Sequence, residues 1–119
     1  MTESTKTTFV YRLASAAEWK RAQETGVIPL REIDERDGYV HLSTREQVLE
    51  TARLHFAGAG DLLALEIPLA PLGESVKFEL APRRRESFPH LYGVLKSGHV
   101  SAVFPLIRSG NAFAFGEAQ

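Results

Sequence analysis

A chain of 119 residues, 44% hydrophobic and 24% charged, has the size and composition of one ordinary globular domain rather than of a fibrous or disordered protein. It contains no cysteine, which excludes a disulfide framework, a thiolate zinc site and a cysteine nucleophile. The formal net charge of -1 argues against a dedicated nucleic-acid binder, and no apolar run approaches the ~20 residues that a membrane-spanning helix needs. Residues 1–8, rich in Thr and Ser, lack the apolar core of a signal peptide; they read as a disordered tail on a cytoplasmic protein.

Taken in order, Phe9 to Ala14 alternates as a strand, with Phe9, Tyr11 and Leu13 set against Val10, Arg12 and Ala14. Ser15-Ala16-Ala17-Glu18 has capping-box spacing, so a helix is expected to start at Ser15, carry Trp19 and Ala22 on one face and stop at Gly26. Val27 to Ile33 reads as an extended or irregular connector, because Pro29 supplies no ladder hydrogen bond, and Asp34 to Gly38 reads as a charged turn. Residues 39–42 are expected to be extended. That would place Tyr39, His41 and Ser43 on one face and Val40 and Leu42 on the other.

A second capping box at Ser43-Thr44-Arg45-Glu46 predicts a helix over 44–57, with Val48, Leu49, Ala52 and Phe56 at helical spacing. Leu62 to Ile67 suits a buried strand, and Pro68 to Gly73 forces a turn. Val76 to Leu80 is a partner strand displaying Lys77 and Glu79 on its polar face. Arg83-Arg84-Arg85-Glu86 reads as a charged loop and Phe88-Pro89-His90-Leu91-Tyr92-Gly93 as a compact aromatic turn. His99 to Ile107 and Ala112 to Phe115 complete the strands. Helices early, strands late and no repeating βαβ order favour an α+β fold in one domain over residues 9–116.

The chemistry-bearing candidates are Arg12, His41, Ser43, Glu79, His90 and Tyr92, which only the fold can bring together. Each has a plainer role to set beside it. Ser43 suits a helix N-cap, His41 a hydrogen-bonded core histidine, His90 a ring that satisfies a buried carbonyl or amide, Glu79 a solvated or salt-bridged carboxylate and Tyr92 a core or rim aromatic. The three consecutive arginines suit a solvated loop, with phosphate binding as the alternative reading. His41, Glu79, His90 and Asp37 are ligand types for zinc or iron, but none has a short metal-binding spacing, so no metal centre is expected. Leu42-Ser43-Thr44 lacks the flanking glycines of a hydrolase nucleophile turn.

The order Val10-Tyr11-Arg12, Trp19, Asp37-Gly38-Tyr39-Val40-His41-Leu42-Ser43-Thr44, Gln47, Asp61-Leu62, Lys77-Phe78-Glu79 and Phe88-Pro89-His90-Leu91-Tyr92-Gly93 resembles the bacterial domain of unknown function numbered 952, over about residues 9–107. That family is distantly similar to the ADP-ribosyltransferase-like fold, which implies a split, mixed β-sheet with two main helices and NAD in a central cleft. By the same resemblance Arg12, His41, Ser43 and Tyr92 would bind the nucleotide, and His41, Glu79 and His90 would be the catalytic candidates. A glutamate placed before the Phe-Pro-His segment departs from the late-strand position usual in such transferases. The implied function is an NAD-using transferase or glycohydrolase with a polar cleft around His41. The alternative is a non-catalytic domain that binds a small anion or a protein partner.

Overall fold

Ser15 begins a helix because its hydroxyl accepts the Glu18 amide N–H at 3.0 Å while the Glu18 carboxylate accepts the Ser15 N–H at 2.8 Å, and Gly26 ends it in the left-handed conformation. In this computed structural model, which describes residues 7–81 and 83–119, the helix is α1, Ala16–Thr25, and it follows strand β1, Phe9–Ser15. Next come a short helix α2, Glu32–Asp37; strand β2, Val40–His41; helix α3, Arg45–His55; and strand β3, Leu62–Pro68. A 3-10 segment over Ala70–Ser75 leads into β4, Val76–Ala81, and β5, Glu86–Leu91. After a 3-10 turn over Ser97–His99, β6, Ala102–Ser109, and β7, Ala112–Phe115, close the chain.

The strands form two sheets, one in the order β1-β3-β6-β7 and one in the order β2-β5-β4, and all their pairings are antiparallel. The split expected from the sequence is present, whereas the expected mixing of parallel and antiparallel pairs is not. The sheets touch through a bridge in which the Tyr11 N–H donates to the Ser43 carbonyl at 2.7 Å and the Ser43 N–H donates to the Tyr11 carbonyl at 2.9 Å. β3 is buried on both faces over residues 62–65, as a run that is apolar apart from Glu66 predicts. Leu63, Leu65 and Ile67 join Val10, Val40, Leu42 and Leu91 in a core between the sheets, while Leu62 and Ala64 pack with Tyr11, Val48 and Ala52 beneath α3. The whole is a single α+β domain. Among the described residues no helix is long and apolar enough to cross a membrane.

Four local expectations need correction. Residues 34–38 form the end of α2 and its left-handed Gly38 cap rather than a turn. Helix α3 is capped by Thr44 instead of Ser43, and Gln47 returns the cap by accepting the Thr44 N–H at 3.0 Å. Ser43 cannot start the helix because both its backbone groups are engaged by Tyr11. Phe88 to Leu91 is strand, since β2 ends at His41 and no neighbouring strand needs the N–H that Pro89 lacks. His99 lies in the 3-10 turn ahead of β6. The expected disordered tail at residues 1–8 falls, for residues 1–6, outside the described residues; Thr8 is tied down through its carbonyl, which accepts the Leu69 N–H at 2.9 Å.

Candidate functional site

Arg12 leaves β1 on the same face as Val10 and Ala14 and enters the space between the sheets, where it is 3% exposed. A guanidinium there needs a carboxylate, and Asp34, whose side chain is fully buried, supplies one in bidentate form at 2.7 and 3.1 Å. Asp34 also accepts the N–H groups of Arg31, at 2.7 Å, and of His41, at 3.0 Å, and lies 2.8 Å from His41 Nδ1. Arg12 completes the arrangement by donating to the carbonyls of His41 and Pro29. Burial pushes the Asp34 carboxyl up, but the hydrogen bonds from His41, Arg12 and the Arg31 backbone outweigh it and hold the group well below the usual carboxylate range.

The ion pair therefore stands where another strand would. The His41 N–H and carbonyl, at the outer edge of β2, are met by Asp34 and Arg12 instead of by a ladder partner. On its other edge β2 sets His41 opposite His90 of β5. The Leu42 N–H donates to the Pro89 carbonyl, so His41 and His90 form the non-hydrogen-bonded kind of pair, in which side chains lie closest. Their ring centroids are 5.7 Å apart, and Tyr39 stacks on His90 at 3.9 Å with its plane tilted by 18°. Nothing in the spacing of the two histidines along the chain indicates that they meet.

The two rings are held differently. His41 has a carboxylate at each nitrogen, Asp34 at Nδ1 and Asp37 at Nε2, 3.0 Å away, which leaves no ring nitrogen for a ligand. His90 has Glu79 Oε1 at 2.7 Å from Nδ1 and no hydrogen-bond partner at Nε2 among the described residues. Glu79 Oε1 also accepts the Tyr92 hydroxyl at 2.7 Å. That hydrogen bond and the one from His90 hold the Glu79 carboxyl below its ordinary value, and the same contact, with burial second, pushes the Tyr92 phenol up to about 12. Ring-labelled tyrosine followed by NMR through alkaline pH should show Tyr92 titrating at about 12. In Glu79→Gln it should move down toward the ordinary ~10; no movement would remove the carboxylate as the cause.

A cleft of about 760 Å³ opens beside these residues, walled by β1, α2, β2, α3 and the β4–β5 turn. Of the residues expected from the sequence, Arg12, His41, Ser43 and His90 line it, whereas Glu79 reaches it through His90, and Tyr92 through Glu79 and the Tyr39 ring. Arg12 is committed to Asp34, so its part is to position the wall rather than to meet a phosphate. Ser43 is buried, and its hydroxyl donates to Thr51 Oγ1 at 3.2 Å.

The lining also holds Arg31, Arg36, Arg83, Arg84 and His55 against a single carboxylate, Asp37. Arg31 is paired with Glu18 and Arg36 with Asp37, while Arg83 and Arg84 have no carboxylate partner among the described residues. Arg84 lies over the Phe88 ring at 4.5 Å and donates to Thr51 Oγ1 at 2.8 Å. The arginine run read as a solvated loop thus supplies cleft wall. Asp34 and Tyr39 were not among the site residues named from the sequence. Arg31-x-x-Asp34 does have the spacing of an acidic residue three positions into a helix, a signal hidden because α2 is too short for hydrophobic periodicity.

Residues 13–103 match the model of a family described as Protein of unknown function (DUF952). The chain is similar to CC0527 from Caulobacter crescentus: 35% identity to the crystal structure, with 94% of each chain covered and a TM-score of 0.81. The solution NMR structure of that protein is also 35% identical, over 88% of this chain and 90% of the other, with a TM-score of 0.76. No curated protein matches the chain.

Proposed function

The chain belongs to the DUF952 family, whose description carries no activity, and we propose that its cleft binds an anionic nucleotide, NAD in the first instance, and transfers or hydrolyses it at the ribose. The observation that carries this reading is the pairing of Glu79 with His90 beside a wall of arginines. A carboxylate accepting from Nδ1–H fixes the tautomer that leaves Nε2 as a proton acceptor. Arg83 and Arg84 offer guanidinium groups to phosphate oxygens. When a water or alcohol oxygen bonds to the ribose carbon, the carbon–nitrogen bond breaks, nicotinamide leaves with the electron pair, and His90 Nε2 takes the nucleophile's proton. Two sheets flanking a polar cleft also suit the implied kinship with the ADP-ribosyltransferase-like fold. His41, clamped by Asp34 and Asp37, holds the wall behind His90.

The test is an amide NMR titration with NAD, paired with chromatography for released nicotinamide. Shifts clustered at Tyr39, His41, Arg84 and His90, with nicotinamide appearing, support the reading. Shifts without turnover under any acceptor would leave the non-catalytic anion-binding domain, and no shifts at millimolar NAD would sink the nucleotide altogether.

A further inference from the structure

The three-stranded sheet β2-β5-β4 has two edges, and they are finished differently. At β2 the Arg12–Asp34 pair meets the outward N–H and carbonyl of His41. At β4 no strand, and no side chain among the described residues, does the same for Phe78. The Tyr92 N–H donates to the Ser75 carbonyl, which fixes the phase of the ladder: Lys77 and Glu79 exchange hydrogen bonds with β5, whereas Phe78, opposite Pro89, points its N–H and carbonyl outward. The side chains follow the backbone in being uncovered, with Phe78 at 44% and Leu80 at 64% exposure. A bare apolar edge is a template for another strand.

The sequence of β4 says which strand fits. We propose that β4 is the seam of a homodimer, in which two copies pair β4 antiparallel about a twofold axis through Phe78. In that register each Phe78 exchanges both backbone hydrogen bonds with Phe78 of the second copy. The Leu80 N–H reaches the Val76 carbonyl of the second copy, whose own Val76 N–H is already bonded to Gly73. Val76, Phe78 and Leu80 then form one apolar stripe across the axis. On the opposite face Lys77 of each copy lies directly across from Glu79 of the other, in the closely spaced, non-hydrogen-bonded kind of pair.

Charges on an edge strand ordinarily repel a second copy, but Lys-x-Glu read antiparallel about its middle residue is complementary to itself. Glu79 is also able to accept the contact. Its Oε1 takes the bonds from His90 and Tyr92, and its Oε2 has no partner among the described residues. The product is a continuous sheet in the order β2-β5-β4-β4-β5-β2. A seam of one strand pair is small, so the association is of the weak, concentration-dependent class.

Sedimentation velocity of the full chain between about 1 µM and about 1 mM tests this, since that interval covers weak to moderate affinity. The wild type should pass from monomer to dimer. Lys77→Glu sets like charges opposite each other at both symmetry-related pairs and should raise the dissociation constant about 10-fold; adding Glu79→Lys restores opposite signs and should recover affinity to within about threefold. Phe78→Pro removes the central outward N–H while sparing the ladder to β5, and should leave a folded monomer by circular dichroism. A wild type that stays monomeric throughout, or a dimer indifferent to Lys77→Glu and to the charge exchange, overturns the proposal. The charge variants decide the matter even where the proline variant fails to fold.

Discussion

Asp34→Ala is expected to lower the stability of the domain by about 3–5 kcal/mol, because it leaves the buried Arg12 guanidinium without its counter-charge. A domain of this size is stable by only about 5–15 kcal/mol, so the melting temperature should fall by roughly 10–20 °C. Replacing both partners, as in Arg12→Met with Asp34→Leu, should cost less than the single change, since no charge is then stranded. A shift of only a few degrees in Asp34→Ala would show that water or relaxation compensates Arg12 and that the pair is not what secures the β2 edge.

The sign of the pH dependence follows from the same carboxyl. Its native value lies below its unfolded value of ~3.9, so the stabilisation is fully present above that pH and is lost progressively as acid is added below about pH 4. Urea midpoints measured from neutral pH downward should fall steeply there in the wild type. In Asp34→Asn, which starts less stable, the slope should be shallower.

His90→Ala should cut nicotinamide release by about 10²–10⁴-fold while leaving NAD affinity within a few-fold, the signature of losing a proton acceptor rather than a binding group. The expectation rests on Nδ1 being held by Glu79, which leaves Nε2 as the acceptor. Glu79→Gln should lower turnover in the same direction, because an amide can donate to Nδ1 and so favour the wrong tautomer. Turnover at the wild-type rate in His90→Ala would remove the residue from the reaction even if the cleft binds NAD.

Much of the fold was legible where the controlling interaction is local. The Ser15–Glu18 box and the Gly26 cap marked α1, and alternation placed Val40 and Leu42 in the core and Tyr39 and His41 on the cleft side. Misreadings arose where a distant partner decided. Ser43-x-x-Glu46 and Thr44-x-x-Gln47 both have capping spacing, and the choice fell to Thr44 because Tyr11 claims the Ser43 backbone from across the sheet gap. Pro89 suggested a turn, yet β2 is so short that the position opposite it needs no donor. The site was half legible for the same reason. His41 and His90 stood out as residue types, but the carboxylates that distinguish them are 7, 4 and 11 residues away on other elements. Only the folded chain brings them together.

The two walls of the cleft differ in how much chain must be drawn together to build them. Arg12 and Asp34 are 22 residues apart, whereas His41 and His90 are 49 apart, from 90 less 41. Closing the longer loop costs about 0.7 kcal/mol more in chain entropy. As the ribosome releases the protein from its N-terminal end, the first 55 residues carry both partners of the ion pair, both residues of the Tyr11–Ser43 bridge and all of α3. β3, the ladder partner of β1, and then the strand carrying His90 emerge later. His90 therefore reaches His41 only after both members of the ion pair that holds the His41 backbone have been synthesised.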